Sequence, residues 1–333
     1  MSSLITPEVV GDRAVVAAIG GGHGLSATLT ALCDLPVYPV AVVGTADDGS
    51  SSGRLRRIFP CVPPGDMRMA FGALLADAPH ADDWRALLHE RFAPGTPLAG
   101  HAIGNLVLTA MLLRTDPVAA MAQASRLLGL RGIVVPACDE ALELIATVRH
   151  DHDDSGEPFV VRGQGTIATT IGEVESVRFE PLHADAPAAV RDTVRESSAI
   201  IMGPGSWWTS VIPPLLLPGL RAAVVDSTGL RILLLNLGAQ PGETTGYTPS
   251  AHLHVFGQVL PEIRIDVVVA DPRTIDDRQS LEAAAAELGG VVEYGEVGLT
   301  RPDGSISLAH DPAALAAVLE RVLDRHGRIK ACR

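Results

Sequence analysis

Lysine is almost missing from this chain of 333 residues, because Lys330 is its only one. A Walker A loop places a lysine directly before Ser or Thr at the end of a glycine-rich turn. No lysine stands in such a position here, so the P-loop class of nucleotide-binding proteins is excluded. Schiff-base catalysis by a lysine would have to rely on this residue near the C-terminal end.

Cysteine and aromatic residues are also scarce. The four cysteines, at positions 33, 61, 138 and 332, form no CxxC pair and show no regular spacing. This pattern argues against a disulfide framework and a structural zinc site, and it fits a reducing cytosol. Aromatic residues make up 4% of the chain, which argues against a stacking platform for single-stranded nucleic acid.

Positive charge is in deficit, and the formal net charge is −13. A chain this acidic repels polyphosphate backbones, so we expect no nucleic-acid partner. A single nucleotide can still bind, because backbone dipoles at a helix start attract anions. The first residues lack the basic-then-apolar order of a signal peptide, and prolines interrupt the longest apolar run, 212–225. We therefore expect a cytoplasmic protein without membrane insertion.

The beginning of the chain predicts a parallel sheet. A buried strand at Ala14–Ile19, a glycine turn, a helix at Leu25–Leu32 and a second strand at Val37–Val43 follow one another. This β–turn–α–β order is typical of an α/β fold with a parallel sheet flanked by helices. We expect residues 44–53 to form a loop.

The rest of the chain extends this pattern. Helical periodicity covers 66–128, and a β-rich, antiparallel insert is predicted at 142–181. Alternating strands and helices then resume up to a helix at Pro312–Arg325. We predict a single α/β domain over 14–330, with residues 1–13 as an N-terminal extension.

The first strand ends in a glycine-rich loop that opens a helix. Unpaired backbone N–H groups at such a position favour an anion, and glycines allow close approach of a phosphate. The alternative is a tight strand–helix turn without a ligand. The residues assigned to this loop are Gly21, Gly22, His23, Gly24 and Leu25.

The second strand is followed by Asp47, Asp48, Ser51 and Ser52. Because the carboxyl ends of parallel strands share one edge, these residues should lie beside the glycine loop. Adjacent carboxylates suit Mg²⁺, so Asp47 and Asp48 form a candidate magnesium pair. The same groups can bind sugar hydroxyls or a base, or simply cap the next helix.

Further polar residues follow along the chain. Asp66 can cap a helix, whereas Arg68 offers a forked partner for phosphate. His101 and Asn105 lie four residues apart on one helix face, either in a buried network or against a ligand. Two later strand-following loops add donors and acceptors for a second anion, a base or a sugar. These loops contribute Gly203, Gly205, Ser206, Thr209, Asn236 and Gln240.

Two groups of histidines resemble metal ligands, but we expect neither group to bind a metal. The first lies in a predicted hairpin turn, where a solvated tip is the expected state. His252 and His254 stand two apart on a helix and point to different faces, so they should not share a metal. The residues of the hairpin group are His150, His152, Asp153 and Asp154.

Six of these segments, in this order, resemble the YvcK-like family of gluconeogenesis factors, which is related to the 2-phospho-L-lactate transferases of coenzyme F420 synthesis. The matching segments are GGGHGL, TADDGSSSGRLR, PPGDMR, GHAIGNL, GPGSWWTS and QPGETTGYT. The resemblance implies a Rossmann-like variant fold and a cytoplasmic protein that binds UDP-N-acetylglucosamine or UDP-glucose. It further implies a role in cell shape and peptidoglycan precursor supply. Cell-wall synthesis or kinase proteins, and further copies of this chain in a homo-oligomer, are candidate partners that the sequence does not decide between.

Two residues depart from the family pattern. His23 stands where the family has Thr, and Ser50 stands where it has Gly. The leading hypothesis is a regulatory binding protein without catalytic residues. The alternatives are a Mg²⁺-dependent transferase acting on a nucleotide-activated phosphoryl group, and an NAD-dependent oxidoreductase. The latter lacks the third glycine of its fingerprint, where Leu25 stands.

Overall fold

The computed structural model describes residues 4–5, 10–76, 80–149, 157–240 and 243–329. Strands and helices alternate through most of this part of the chain. In chain order the strands are β1 (Ala14–Gly20), β2 (Val37–Val43), β3 (Ile133–Pro136), β4 (Glu143–Arg149), β5 (Phe159–Arg162), β6 (Glu173–Glu180), β7 (Ala199–Met202), β8 (Leu230–Leu234), β9 (Val267–Ala270), β10 (Val291–Tyr294), β11 (Gly298–Thr300) and β12 (Ile306–His310).

The helices cover the central sheet and connect its strands. In chain order they are α1 (Gly22–Cys33), α2 (Ser50–Ile58), α3 (Pro64–Leu74), α4 (Ala81–His89), α5 (Ile103–Leu112), α6 (Pro117–Leu127), α7 (Gln164–Ile167), α8 (Ala188–Glu196), α9 (Ile212–Leu215), α10 (Pro218–Asp226), α11 (Pro249–Val259), α12 (Arg278–Glu287) and α13 (Pro312–Arg325). A π-helical turn at Trp207–Val211 precedes α9, and a 3-10 turn at Pro272–Thr274 follows β9.

The central sheet has seven strands in the order β10-β9-β8-β7-β1-β2-β3, and every neighbouring pair is parallel. From β1 the chain builds one half of the sheet through β2 and β3. From β7 it builds the other half through β10. The reversal of strand order between β1 and β7 creates a crevice at their carboxyl ends, the usual ligand position in such sheets. The predicted α/β class with its parallel sheet is confirmed.

Both faces of the central sheet are covered. Val16 and Ala18 of β1 pack into one buried cluster, and Ala17 and Ile19 pack into a second cluster on the other face. A strand buried on both faces needs apolar residues at every position. This explains why β1 is a continuous apolar run that the sequence alone identifies.

The predicted insert forms a separate antiparallel sheet of β5, β4 and β6, with β4 in the middle. A second small sheet pairs β11 with β12 near the end of the domain. Ile5 and Val10, inside the predicted extension, are buried in the core. The domain boundaries themselves stay a prediction.

One local prediction was wrong, and several short elements were missed. The predicted loop at 44–53 ends early, because α2 begins at Ser50. Serine and glycine are poor helix formers, so propensity hides this helix. Arg56 anchors it by donating to the carbonyls of Ala46, Asp47 and Leu142. The missed strands β3, β10, β11 and β12 have only three to five residues each.

Among the described residues, no single helix is long and apolar enough to cross a membrane. Two consecutive helical segments, Trp207–Leu215 and Pro218–Asp226, are together long and apolar enough, but the chain bends by 74° between them.

Candidate functional site

The loops that follow β1 and β7 meet at the crevice. A Cβ atom built on Gly24 would collide with the backbone carbonyl of Pro204, so only glycine permits this approach. The Thr28 hydroxyl also donates to the carbonyl of Gly203, over 3.2 Å. The first glycine loop and the Gly203–Gly205 loop are therefore in direct contact in the structure.

The start of α1 lies at the centre of this crevice. Gly21 precedes the helix in an extended conformation and, as a glycine, has no side chain with which to cap it. The first N–H groups of a helix have no partner within it. The N–H of Gly22 donates to the carboxylate of Asp66, and the following N–H groups are in the right place for an anion. Leu25 is a correction to the predicted ligand set, because its side chain is 1% exposed and packs in the core.

A cavity of about 610 Å³ opens beside α1. Five predicted site residues line it, drawn from the loops after β1, β7 and β8. The β11–β12 hairpin supplies the other wall, and none of its residues was predicted to belong to the site. The predicted residues are His23, Gly24, Gly205, Asn236 and Gln240, and the hairpin contributes Arg301, Ser307, Leu308, Ala309 and His310.

The hairpin wall has a weak sequence signal. Pro302, Asp303 and Gly304 form a typical turn sequence, but its flanking strands are too short to show alternation. Asp271 fixes the hairpin base by accepting the N–H of Gly298 over 2.8 Å. Burial lowers the pKa of His310 to about 4, so this ring faces the cavity in its neutral form.

The side chain of Asn236 binds the backbone of the loop after β7 and does not point freely into the cavity. Its Oδ1 accepts the N–H of Gly205 over 2.9 Å, and its Nδ2 donates to the carbonyl of Gly205 over 2.7 Å. The side chain therefore fixes the cavity wall through both of its polar groups. Gln240 differs, because its Oε1 is buried without a hydrogen-bond partner in the described part of the chain.

Ser206 and Thr209 bind the carboxylate of Glu243, a residue that was not predicted to belong to the site. The Ser206 hydroxyl donates to Glu243 over 2.6 Å, and the Thr209 hydroxyl does so over 3.1 Å. The N–H of Trp208 adds a longer bond of 3.3 Å. Glu243 is 4% exposed, and burial raises its pKa. These hydroxyls therefore join the loop after β8 to the π-helical turn instead of standing free for an anion.

Two carboxylates, Asp66 and Asp47, lie close to the start of α1. Burial and, after it, the nearby charge of Asp47 together raise the pKa of Asp66 to about 7. Burial also raises the pKa of Asp47, against hydrogen bonds from Ser52 and from the N–H of Gly49. A Cβ atom on Gly65 would collide with Asp47 and Ser52, so the starts of α2 and α3 are packed closely.

Asp48 does not share partners with Asp47. Its Oδ1 accepts the N–H of Gly165 over 2.8 Å, which attaches the start of α7 in the insert to the central domain. The two members of the candidate magnesium pair thus have different hydrogen-bond partners, although the charge of Asp48 still raises the pKa of Asp47. The charge of Asp47 in turn acts on Asp66. Among the described residues no group of three or more His, Cys, Asp or Glu side chains is arranged to hold a metal.

The remaining predicted residues form two pairs at the start of α5. Arg68 Nε donates to Asn105 Oδ1 over 2.9 Å, and the Ser51 hydroxyl lies 3.0 Å from His101 Nδ1. None of these four residues lines the 610 Å³ cavity. The predicted site therefore divides into residues that line the cavity and residues that lie outside it.

The other histidine predictions have separate outcomes. His252 is buried and His254 is exposed on α11, which confirms that they point to different faces. The group His150, His152, Asp153 and Asp154 lies outside the described residues.

Comparison with known proteins decides the family. The family model described as "2-phospho-L-lactate transferase CofD" matches residues 16–300. The chain belongs to the CofD family. A "Putative gluconeogenesis factor" of Mycobacterium tuberculosis (strain ATCC 25618 / H37Rv) is 43% identical over 314 residues, covering 93% of this chain and 90% of the relative. The "Gluconeogenesis factor" of Bacillus subtilis (strain 168) is 36% identical over 269 residues, covering 80% and 82% respectively.

A solved structure confirms the architecture of this CofD family member. It is a crystal structure of a UPF0052 family protein from Bacillus halodurans, 30% identical in sequence, with a TM-score of 0.80. The match covers 92% of this chain and 99% of that one. The resemblance to gluconeogenesis factors is therefore confirmed, together with the α/β fold.

Proposed function

We propose that this protein is a cytoplasmic regulatory protein that binds a UDP-sugar in the 610 Å³ cavity. The position of the cavity carries the proposal. It lies at the reversal of strand order, against the uncapped start of α1, where a diphosphate finds unpaired N–H groups. Its volume falls within the range of small-molecule sites, roughly 300–1,000 Å³.

The lining residues suit the parts of such a ligand. The N–H groups around His23 and Gly24 would hold the diphosphate, with the guanidinium of Arg301 opposite them. Gln240 and the neutral ring of His310 offer hydrogen bonds to sugar hydroxyls or to a base. The names of the relatives support a role in gluconeogenic growth. Effects on peptidoglycan precursor supply and cell shape are a further part of the proposal.

A second candidate is a Mg²⁺-dependent transferase, and the Asp47–Asp66 pair favours it. Two neighbouring carboxylates beside the start of a helix suit a divalent cation bound to a phosphate. The matching family model is itself described by a transferase activity. In this alternative Asp47 and Asp66 would hold the cation, which would neutralise negative charge on the phosphoryl group.

Thermal unfolding of the full chain distinguishes the two candidates. The ligands are UDP-N-acetylglucosamine, UDP-glucose, GTP and NAD, each with and without Mg²⁺. A ligand at 100 times its Kd stabilises by about 2.7 kcal/mol, which raises the midpoint by several degrees. We expect a shift with the UDP-sugars that does not require Mg²⁺.

Arg301→Gln should reduce that shift, whereas Arg57→Gln, an exposed arginine outside the cavity, should leave it unchanged. A shift with GTP and Mg²⁺ alone would contradict the regulatory proposal and support the transferase. Loss of the shift in Arg57→Gln but not in Arg301→Gln would contradict the assigned cavity.

A further inference from the structure

Three guanidinium groups surround the start of α5, and we call Arg54, Arg68 and Arg91 the arginine wall. Arg54 Nη1 donates to the carbonyl of Ala99 over 2.8 Å, and Arg91 Nη1 donates to the next carbonyl, Gly100, over 2.7 Å. Within the described residues, none of the three forms an ion pair with a carboxylate. The chain has 39 acidic and 26 basic residues, so carboxylates are not in short supply.

Arg68 is the central member of the wall. It is 7% exposed, yet its partners are neutral. Nε donates to Asn105, and Nη1 lies 2.6 Å from Nδ1 of His89, while Nη2 has no partner among the described residues. A buried charge normally has an opposite charge in contact with it, because desolvation is costly.

The surroundings increase this electrostatic cost. Burial and the like charge of Arg91 both lower the pKa of Arg68. The nearby carboxylates of Asp66 and Asp47 oppose that effect, but neither reaches ion-pair distance. Arginine stays protonated in proteins, so the wall retains its positive charge.

The chain makes room for this arrangement. A Cβ atom on Gly104 would lie 3.0 Å from Cδ of Arg68 and 2.7 Å from the carbonyl oxygen of Leu88. Glycine at this position lets the arginine lie against the first turn of α5. That helix begins after Ala102 without a side-chain cap, so its positive end adds to the charge of the wall.

We propose that the arginine wall binds a phosphate group, free or esterified in a small metabolite, at a second site separate from the 610 Å³ cavity. None of its three arginines lines that cavity. Guanidinium forks match phosphate geometry, and a dianion compensates more than one of them. The inference does not depend on the nucleotide-sugar proposal.

Isothermal titration of the full chain tests the proposal at constant ionic strength. The probes are inorganic phosphate, glycerol 3-phosphate, and acetate as a monoanion. We expect the phosphates to bind and acetate to bind at least tenfold more weakly. Each of Arg68→Gln and Arg91→Gln should weaken phosphate by about tenfold or more, since each loses a charge-assisted bond. Arg57→Gln on α2 is the matched control, and circular dichroism verifies folding.

UDP-N-acetylglucosamine serves as the probe of the cavity. Its affinity should be the same in Arg91→Gln as in the wild type, and phosphate should not compete with it. Competition, together with loss of UDP-N-acetylglucosamine affinity in Arg91→Gln, would overturn the second site while leaving the nucleotide-sugar proposal intact. Phosphate affinity unchanged by both substitutions would overturn it directly. Phosphate binding without any UDP-sugar binding would support the wall and contradict the proposed function.

Discussion

Asp66→Asn should stabilise the protein at alkaline pH. The pKa of Asp66 rises from 3.8 to about 7 on folding, a difference of about 3 units, and each unit corresponds to about 1.4 kcal/mol. Because the folded pKa is the higher one, the unfolded chain releases this proton first. Stability is therefore lost as pH rises from about 4 through 7, by up to about 4 kcal/mol. Asparagine keeps an oxygen for the N–H of Gly22 but carries no charge.

Urea unfolding of both proteins between pH 4.5 and pH 8.5, in the presence of EDTA, measures this effect. The difference in unfolding free energy should be small at the acid end and should reach about 2–4 kcal/mol in favour of Asp66→Asn at the alkaline end. Asp139→Asn, at an exposed carboxylate, is the control. Parallel stability curves for wild type and Asp66→Asn would refute the reasoning. Restoration of wild-type stability by Mg²⁺ at pH 8.5 would support the transferase alternative.

Three further substitutions test local features. Ser50→Gly should raise stability by up to about 1 kcal/mol in urea unfolding, because Ser50 has φ +42° and glycine removes that strain; a loss of stability would contradict this. Asp48→Ala removes the hydrogen bond to Gly165 and should lower the unfolding free energy by about 1 kcal/mol. Limited proteolysis should then cut the 143–180 insert faster. Unchanged cleavage would show that the contact does not hold the insert. Glu243→Ala should lower the unfolding free energy by about 3 kcal/mol, since it leaves buried donors unpaired, whereas Glu243→Gln should lose less. Equal losses in the two variants would argue against the hydrogen-bond explanation.

Local sequence patterns were sufficient to predict the strands that are buried on both faces of the sheet. β2 has the predicted bounds in the structure, Val37–Val43, because every residue in it is buried. The start of α2 was not predictable in the same way. It depends on hydrogen bonds from Arg56 to backbone carbonyls, one of which belongs to the distant residue Leu142. Local composition does not indicate such contacts.

The candidate site shows the same division. Strand-following loops indicated which backbone segments meet at the sheet edge, because parallel strands place their carboxyl ends together. Side-chain partners were a different matter. Glu243 and Ser206 are 37 residues apart, and Asp48 and Gly165 are 117 apart. No spacing rule connects such pairs, so hydroxyls and carboxylates that seemed free for a ligand are partly used by the protein.

The glycines of the first loop also have two separate explanations. A Cβ atom on Gly21 would collide with Asp66, and one on Gly24 would collide with Pro204. Both glycines are therefore required by packing, whether or not a phosphate binds. The high number of glycines in this loop is therefore only weak support for an anion site. The support comes from what packing does not require, which is an uncapped helix start that opens into a cavity bounded by Arg301 and His310.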